Sequence, residues 1–217
     1  MPLQWNVFRY LADFSHLISV FILLYKMLTK RTCNGVSLKT HILYLIVFCT
    51  RYINEQFFSP PLYNILFKIF YILSSAVIVI LMLTKLSRTY EKRHDTFRNI
   101  FIIVLCIPFA YFSMPFKTLT GFLFAYSLWV ESFAIFPQLL LLKRSFKLDV
   151  INLEYIFFLG IYRLFYLLNW IYKMVTDSGR TPKVVWITGI LQTIIYSDFI
   201  WQYLKMKVTG TDIDLPL

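Results

Sequence analysis

Two stretches of this chain carry no charge over a length that few environments permit, Ile69–Thr84 and Asn99–Phe116. A hydrocarbon core about 30 Å thick is crossed by about 20 helical residues, and a helix satisfies its own backbone amides while crossing. Several other windows hold a single charge. Of the 217 residues 59% are hydrophobic and only 15% charged, against about 25% charged in an ordinary soluble domain. The fold class expected is therefore all-α integral membrane. Seven spans of about 22 residues would use most of the chain, so a single membrane domain over 1–217 is expected, with no independent soluble domain.

Apolar runs and their breaks predict spans at 7–28, 38–57, 61–84, 99–115, 118–142, 151–173 and 184–205, followed by a short tail at 206–217. Met1–Arg9 lacks a basic leader and no small-residue cleavage site follows, so the first span is expected to be retained. Alternate connections carry fourteen Lys and Arg on one side and five on the other. By the positive-inside rule the N-terminus is expected on the exoplasmic side, lumenal if the membrane is internal, and the C-terminus in the cytosol. The excess of 22 basic over 11 acidic residues thus reads as topology, since no basic stripe or RNA-binding signature accompanies it, and no nucleic-acid partner is expected. Cys33, Cys49 and Cys106 form neither a disulfide framework nor a zinc spacing, so neither metal nor cofactor is expected. Arg51 and Arg163 sit deep in spans 112 residues apart. That offset suits two three-helix units, about 7–84 and 118–205, joined by an inverting helix at about 99–115.

Charge inside a bilayer costs about 2.5 kcal/mol or more per residue, so Arg9, Asp13, His16, Arg51, Glu131, Arg163 and Asp198 each need a partner or a wet cavity. Structural ion pairs, Arg163 with Glu131 and Arg9 with Asp13, are the plain reading. Arg9, Asp13 and His16 follow at i, i+4 and i+7 and share a helix face. Tyr162, Arg163, Tyr166, Asn169, Trp170 and Lys173 form a polar and aromatic stripe at steps of three and four. Aromatic stripes usually pack or face lipid; interleaved with Arg, Asn and Lys, one more often lines a cavity. Several arginines together suit a carboxylate ligand, such as an acidic peptide or a chain's own C-terminus. His16 could add a proton switch near pH 6, although a lone histidine is as often a satisfied structural donor.

The ordered blocks Val7-Phe8-Arg9, Asp13-Phe14-Ser15-His16-Leu17, Cys33-Asn34-Gly35-Val36-Ser37, Thr50-Arg51-Tyr52, His94-Asp95-Thr96-Phe97, Val130-Glu131-Ser132, Pro137-Gln138-Leu139, Tyr162-Arg163, Asn169-Trp170-Ile171 and Tyr196-Ser197-Asp198-Phe199 span nearly the whole chain. In this pattern the chain resembles the KDEL receptor family, the membrane receptors that return escaped endoplasmic-reticulum proteins from the Golgi. The resemblance implies seven helices in a 3+1+3 arrangement similar to the SWEET and PQ-loop proteins, residence in the endoplasmic reticulum and cis-Golgi membrane, and a lumen-facing site for a C-terminal tetrapeptide ending in Asp-Glu-Leu. It implies that Arg51 and Tyr52 take the terminal carboxylate, Arg9 the adjacent glutamate with Trp170 packing there, and Lys173 the aspartate. Asn54, Phe124, Tyr166 and Asn169 would complete the peptide site. His16, Glu131, Tyr162 and Arg163 would form a pH-dependent lock, and Asp198, Lys205 and Lys207 would serve trafficking.

The departures from the family are specific. Lys173 stands for an arginine, Asn54 for an aspartate, Gly121 for a glutamate and Phe124 for a tryptophan. Without the two carboxylates, preference at the first signal residue should move away from cations. The tail keeps Lys205 and Lys207 but has no lysine pair near its end, which erodes the motif that the family offers the COPI coat. Membrane lipids are the remaining expected partner. A small-solute transporter of the same architecture is the alternative, disfavoured by the four cations Arg9, Arg51, Arg163 and Lys173. No nucleophile-base-orienter set argues for an enzyme.

Overall fold

The computed structural model describes residues 6–52, 62–144, 150–176 and 181–209. Among these every regular element is helical: α1 (Val7–Thr29), α2 (Leu38–Tyr52), α3 (Leu62–Leu83), α4 (Ile100–Ser113), α5 (Leu119–Phe133), α6 (Phe136–Arg144), α7 (Val150–Thr176) and α8 (Lys183–Thr209). Five segments are long and apolar enough to cross a membrane: α1, α3, the combined stretch Leu119–Arg144, residues Ile151–Thr176 and α8. α4 is a shorter apolar helix, and α2 runs 15 residues up to Tyr52. With α5 and α6 counted as one span, the seven expected crossings have their helices, and the chain is a multi-pass membrane protein.

The helix ends follow local chemistry. The Asn6 side chain accepts the Arg9 N–H at 3.0 Å and opens α1, Ser37 Oγ does the same for Thr40 N–H at 3.2 Å before α2, and Thr118 Oγ1 for Gly121 N–H at 3.1 Å before α5. α4 stops at Met114, whose extended backbone (ψ 133) is what the residue before a proline prefers. α5 breaks at Ala134–Ile135, just ahead of Pro137, whose ring cannot supply a helical N–H. The large side chains left exposed on α4, Phe101, Val104 and Phe112 among them, are the face that lipid covers.

The chain divides into two compact units. The first takes Met1–Lys26 with Leu148–Leu217, and the second Met27–Lys147.

In the first unit α1 and α7 run antiparallel in one register: Asn6 faces Asn169, Asp13 faces Tyr166, His16 faces Tyr162, and Lys26 faces Asn152. α8 lies along α7 in the same antiparallel sense. Glu154 pairs with Lys207 at 3.7 Å, Phe157 packs on Tyr203 at 4.8 Å, and a Cβ at Gly160 would come within 2.9 Å of Ile200. Lys26, counted among the loop cations from sequence, is fully buried inside the unit. Its ammonium donates to Asn152 Oδ1 at 2.6 Å.

In the second unit α2 packs against α3 and α5, and α5 against α4. The unit is fastened at one end by a clasp of buried polar groups. Asp95 accepts Ser37 Oγ–H at 3.0 Å and Tyr90 O–H at 2.7 Å. Burial, then the Asp95 carboxylate it donates to, pushes the Tyr90 phenol well above its usual range. Gln138, after the proline, accepts Ser37 N–H at 2.8 Å and donates to Gly35 O at 2.7 Å. Gly35 makes that approach with φ 71, a conformation glycine adopts without penalty.

Candidate functional site

Of the expected signal-binding and switch residues, the first unit holds Arg9, His16, Tyr162, Arg163, Tyr166, Asn169, Trp170 and Lys173. The spacing argument placed Arg9, Asp13 and His16 on one face of α1, and Asp13 and His16 are indeed buried there. Arg9 Nε stands 3.9 Å from Asp13 Oδ2, and Tyr166 O–H donates to the other carboxylate oxygen through a short hydrogen bond. Asp13 is thereby shared between its own helix and α7. One turn outward, Asn169 Oδ1 accepts from Asn6 Nδ2 at 2.7 Å. One turn inward the His16 ring stacks on Tyr162 at 4.4 Å and 11°. Arg163 donates from Nε to the Tyr162 phenol oxygen at 2.7 Å, and its guanidinium lies 4.6 Å from the Tyr162 ring centre. The Tyr162 ring thus meets both the His16 imidazole and the Arg163 guanidinium.

Trp170 owes its position to α8. The indole lies over Gly189, where a Cβ would come within 2.2 Å of Cζ3 and 2.8 Å of Cη2. Trp186 meets it edge-on at 6.2 Å, and Tyr166 lies tilted at 6.3 Å. Sequence reasoning missed Gly189 and Trp186; a glycine inside an apolar helix is a recognisable hint of close approach, but it does not say to what. Lys173 is half-buried in the last turn of α7.

The second unit holds Arg51, Tyr52, Phe124 and Glu131; Asn54 lies outside the described residues. Arg51 reaches from the last turn of α2 to α5, donating from Nε to Ser127 Oγ at 3.1 Å and from Nη2 to Glu131 through a short charge-assisted bond. Glu131 is only 2% exposed. Within this unit its partner is Arg51, a pairing the sequence did not suggest, because 80 residues separate the two. The Ser127 hydroxyl donates to the Phe124 carbonyl at 2.7 Å, so Phe124 contributes its backbone to the holding of Arg51. Tyr52 stacks on Phe48 at 6.1 Å, with the Lys68 ammonium 5.7 Å from its ring centre.

Gly121 is structurally committed. A Cβ there would stand 2.3 Å from the Phe116 carbonyl oxygen, a backbone atom that cannot swing aside, so a glutamate at this position requires the 114–118 connection to move. Asp198, counted among the intramembrane charges, is exposed on α8 with Gln202 Nε2 at 3.4 Å. Lys205 and Lys207 are likewise exposed, the latter over Tyr203 as well as beside Glu154. Among the described residues no three His, Cys, Asp or Glu side chains come together as metal ligands.

Residues 32–173 match the profile of the ER lumen protein retaining receptor family. The chain is 37% identical over 212 residues to an ER lumen protein-retaining receptor of Entamoeba histolytica, covering 98% of this chain and 99% of that protein. It is 40% identical to that of Petunia hybrida over 213 residues, 97% of this chain and 99% of the relative, and 37% identical to ER lumen protein-retaining receptor 3 of Xenopus laevis over 98% and 99%. With likeness at this level running from end to end of chain and relatives alike, and not confined to an arginine-bearing motif, the chain belongs to the ER lumen protein retaining receptor family.

Proposed function

We propose that this receptor binds the C-terminal retrieval signal of escaped lumenal proteins, a tetrapeptide ending in Asp-Glu-Leu, in the acidic Golgi and releases it in the neutral endoplasmic reticulum. The observation that carries this reading is the Arg51–Glu131 pair. A guanidinium held by one internal carboxylate and one serine is prepared to exchange that carboxylate for another, and a peptide's free C-terminus offers the same bidentate geometry. Arg51 with Tyr52 takes the terminal carboxylate, Arg9 the penultimate glutamate against Trp170, and Lys173 the aspartate. Asn54, Phe124, Tyr166 and Asn169 complete the site.

Acid promotes the exchange through His16, whose protonation adds positive charge for an anionic ligand, so affinity rises as pH falls. Tyr162 and Arg163 hold His16 in place and act as the remaining members of the lock. The seven spans follow a 3+1+3 plan with the N-terminus lumenal and the C-terminus cytosolic. Asp198, Lys205 and Lys207 serve sorting, and COPI engagement through the tail is weak for want of a lysine pair. The protein is a binding device rather than an enzyme.

The direct test is binding of a tetrapeptide ending in Asp-Glu-Leu to reconstituted protein at about pH 5.5 and about pH 7.5, bracketing histidine, against the same peptide amidated at its C-terminus. Tighter binding in acid, lost on amidation, is expected. Equal binding of acid and amide would remove the terminal carboxylate from the recognition.

A further inference from the structure

One end of the second unit is densely positive. Segments 30–31, 85–98 and 143–144 present nine exposed Lys and Arg side chains. Among the described residues of the unit no carboxylate is exposed: Asp95 is buried in the clasp, Glu91 stands 3.4 Å from His94, and Glu131 is bonded to Arg51. At the opposite end of the unit, among the described residues, Lys117 is the single exposed cation.

Orienting a membrane protein needs only a sufficient number of such charges. Here they are also mounted on a fixed framework. Cys33 N–H donates to Thr89 Oγ1 at 3.1 Å, which ties the α1–α2 connection to the α3–α4 connection. Asn99 Nδ2 donates to Lys39 O at 2.8 Å, which ties α2 to the start of α4. Arg144 at the end of α6 donates to the Thr96 hydroxyl through a short bond. Thr96 and Asn99 flank Arg98, so Lys39, Arg98 and Arg144 are brought from three elements to one corner. The partner of Arg144 there is a neutral hydroxyl, so this bond orients the guanidinium without cancelling its charge.

We propose that this corner binds the headgroup of an inositol phospholipid bearing a phosphate monoester. The charges sit at the ends of spanning helices, the depth at which lipid headgroups surround the protein, so the ligand is already at hand and need not be recruited from water. A phosphate monoester carries up to two negative charges and three acceptor oxygens on one phosphorus, which suits guanidinium forks carried on neighbouring segments better than the single diffuse charge of other anionic lipids. Because these bonds fix the backbone that carries the cations, and the Arg144 side chain itself, before binding, less ordering cost remains at association. The surface is separate from the signal-peptide residues and stands without them.

The test uses full-length protein in nanodiscs of phosphatidylcholine containing either phosphatidylinositol 4-phosphate or enough phosphatidylserine to match its charge. Lipid retained by the protein is measured by native mass spectrometry. Selective retention of the phosphoinositide is expected, weakened by about fivefold for each of Arg98→Gln and Arg144→Gln and unchanged by Lys117→Gln. Arg144→Lys, which keeps the charge and loses the fork, should fall between Arg144→Gln and the unaltered protein and guards against a folding artefact. Free inositol phosphate at matched concentration should compete only weakly. Equal retention of phosphatidylserine, or retention indifferent to Arg98 and Arg144, would overturn the proposal. So would binding of an acidic polyglutamate peptide through the same arginines with no lipid retained, which would assign the surface to a cytosolic protein.

Discussion

Arg9 and Arg51 are both arginines in spanning helices, and both are assigned to carboxylates of the same peptide, yet they are held differently. Arg9 finds its counter-charge four residues away on its own helix, at 3.9 Å, in a pair that exists wherever α1 is helical. Arg51 is held by Glu131 and Ser127 on another helix, so its compensation appears only when α2 and α5 pack. The first pair is longer and shares its carboxylate with Tyr166; the second is short, and its carboxylate is almost fully buried. On the proposed reading a ligand at Arg51 displaces a carboxylate held on another helix, whereas at Arg9 the competing carboxylate stands on the same helix.

Removing each arginine should expose the difference. Arg51→Ala eliminates the anchor of the terminal carboxylate, a loss on the order of 2 to 5 kcal/mol of binding, and also leaves Glu131 buried without that partner. The double variant Arg51→Ala with Glu131→Gln avoids the stranded charge and should fold but not bind. Arg9→Ala, at a longer pair within one helix, should lose about 1.5 to 3 kcal/mol with little change in thermal stability. If isothermal titration found Arg9 to be the costlier residue, the ranking of the two anchors would be reversed.

The lock can be separated in the same way. His16→Ala should remove about tenfold of the affinity gained between neutral and acidic pH, the equivalent of one pH unit of proton linkage. Glu131→Gln should raise affinity at neutral pH by releasing Arg51. A pH profile indifferent to both substitutions would place the sensor elsewhere.

Gly189→Ala tests a support and not a contact. The added methyl must push the Trp170 indole off α8, at a cost of about 1 kcal/mol or more, and Trp170→Phe in the same background should recover part of the binding because the smaller ring leaves room. Were Gly189→Ala to bind normally while Trp170→Ala did not, the indole would be held by something other than its seat on α8.

The smallest effect concerns the first signal residue. Asn54→Asp should shift preference toward a Lys-initiated signal by about 1 kcal/mol, measured as the affinity ratio of Lys-Asp-Glu-Leu to Ala-Asp-Glu-Leu peptides. Restoring the second family carboxylate at Gly121 is a poor test, since the Phe116 carbonyl occupies the space for a Cβ. An unmodified protein that already selects lysine strongly would mean that another acidic group reaches that residue.

Much of this was legible in advance because hydrophobicity is a local property. A run such as Asn99–Phe116 commits itself to a bilayer whatever its neighbours do, and the helices begin and end close to the predicted breaks. The i, i+4 pair of Arg9 and Asp13 and the shared face with His16 were readable for the same reason: helical spacing alone brings them together. The Pro137 break inside the fifth span was less clear, because proline is often accommodated in membrane helices, as Pro108 is within α4.

What periodicity could not supply was the choice of partners across helices. Glu131 meets Arg51 through the packing of α2 on α5, a pairing that no spacing along one helix suggests. Lys26 read as one more loop cation, yet it is buried and bonded to Asn152, because α1 continues past it and α7 covers it. Gly189 carried no message until Trp170 was found lying on it. The sequence by itself determined the membrane class, the spans, the side that carries the positive charge and the inventory of ionisable groups, all of which follow from transfer free energies and helical spacing along one segment. Tertiary structure alone decided which charges on different helices neutralise one another, because that depends on distances of a few ångströms between helices far apart in the chain, where a dry interior strengthens each contact.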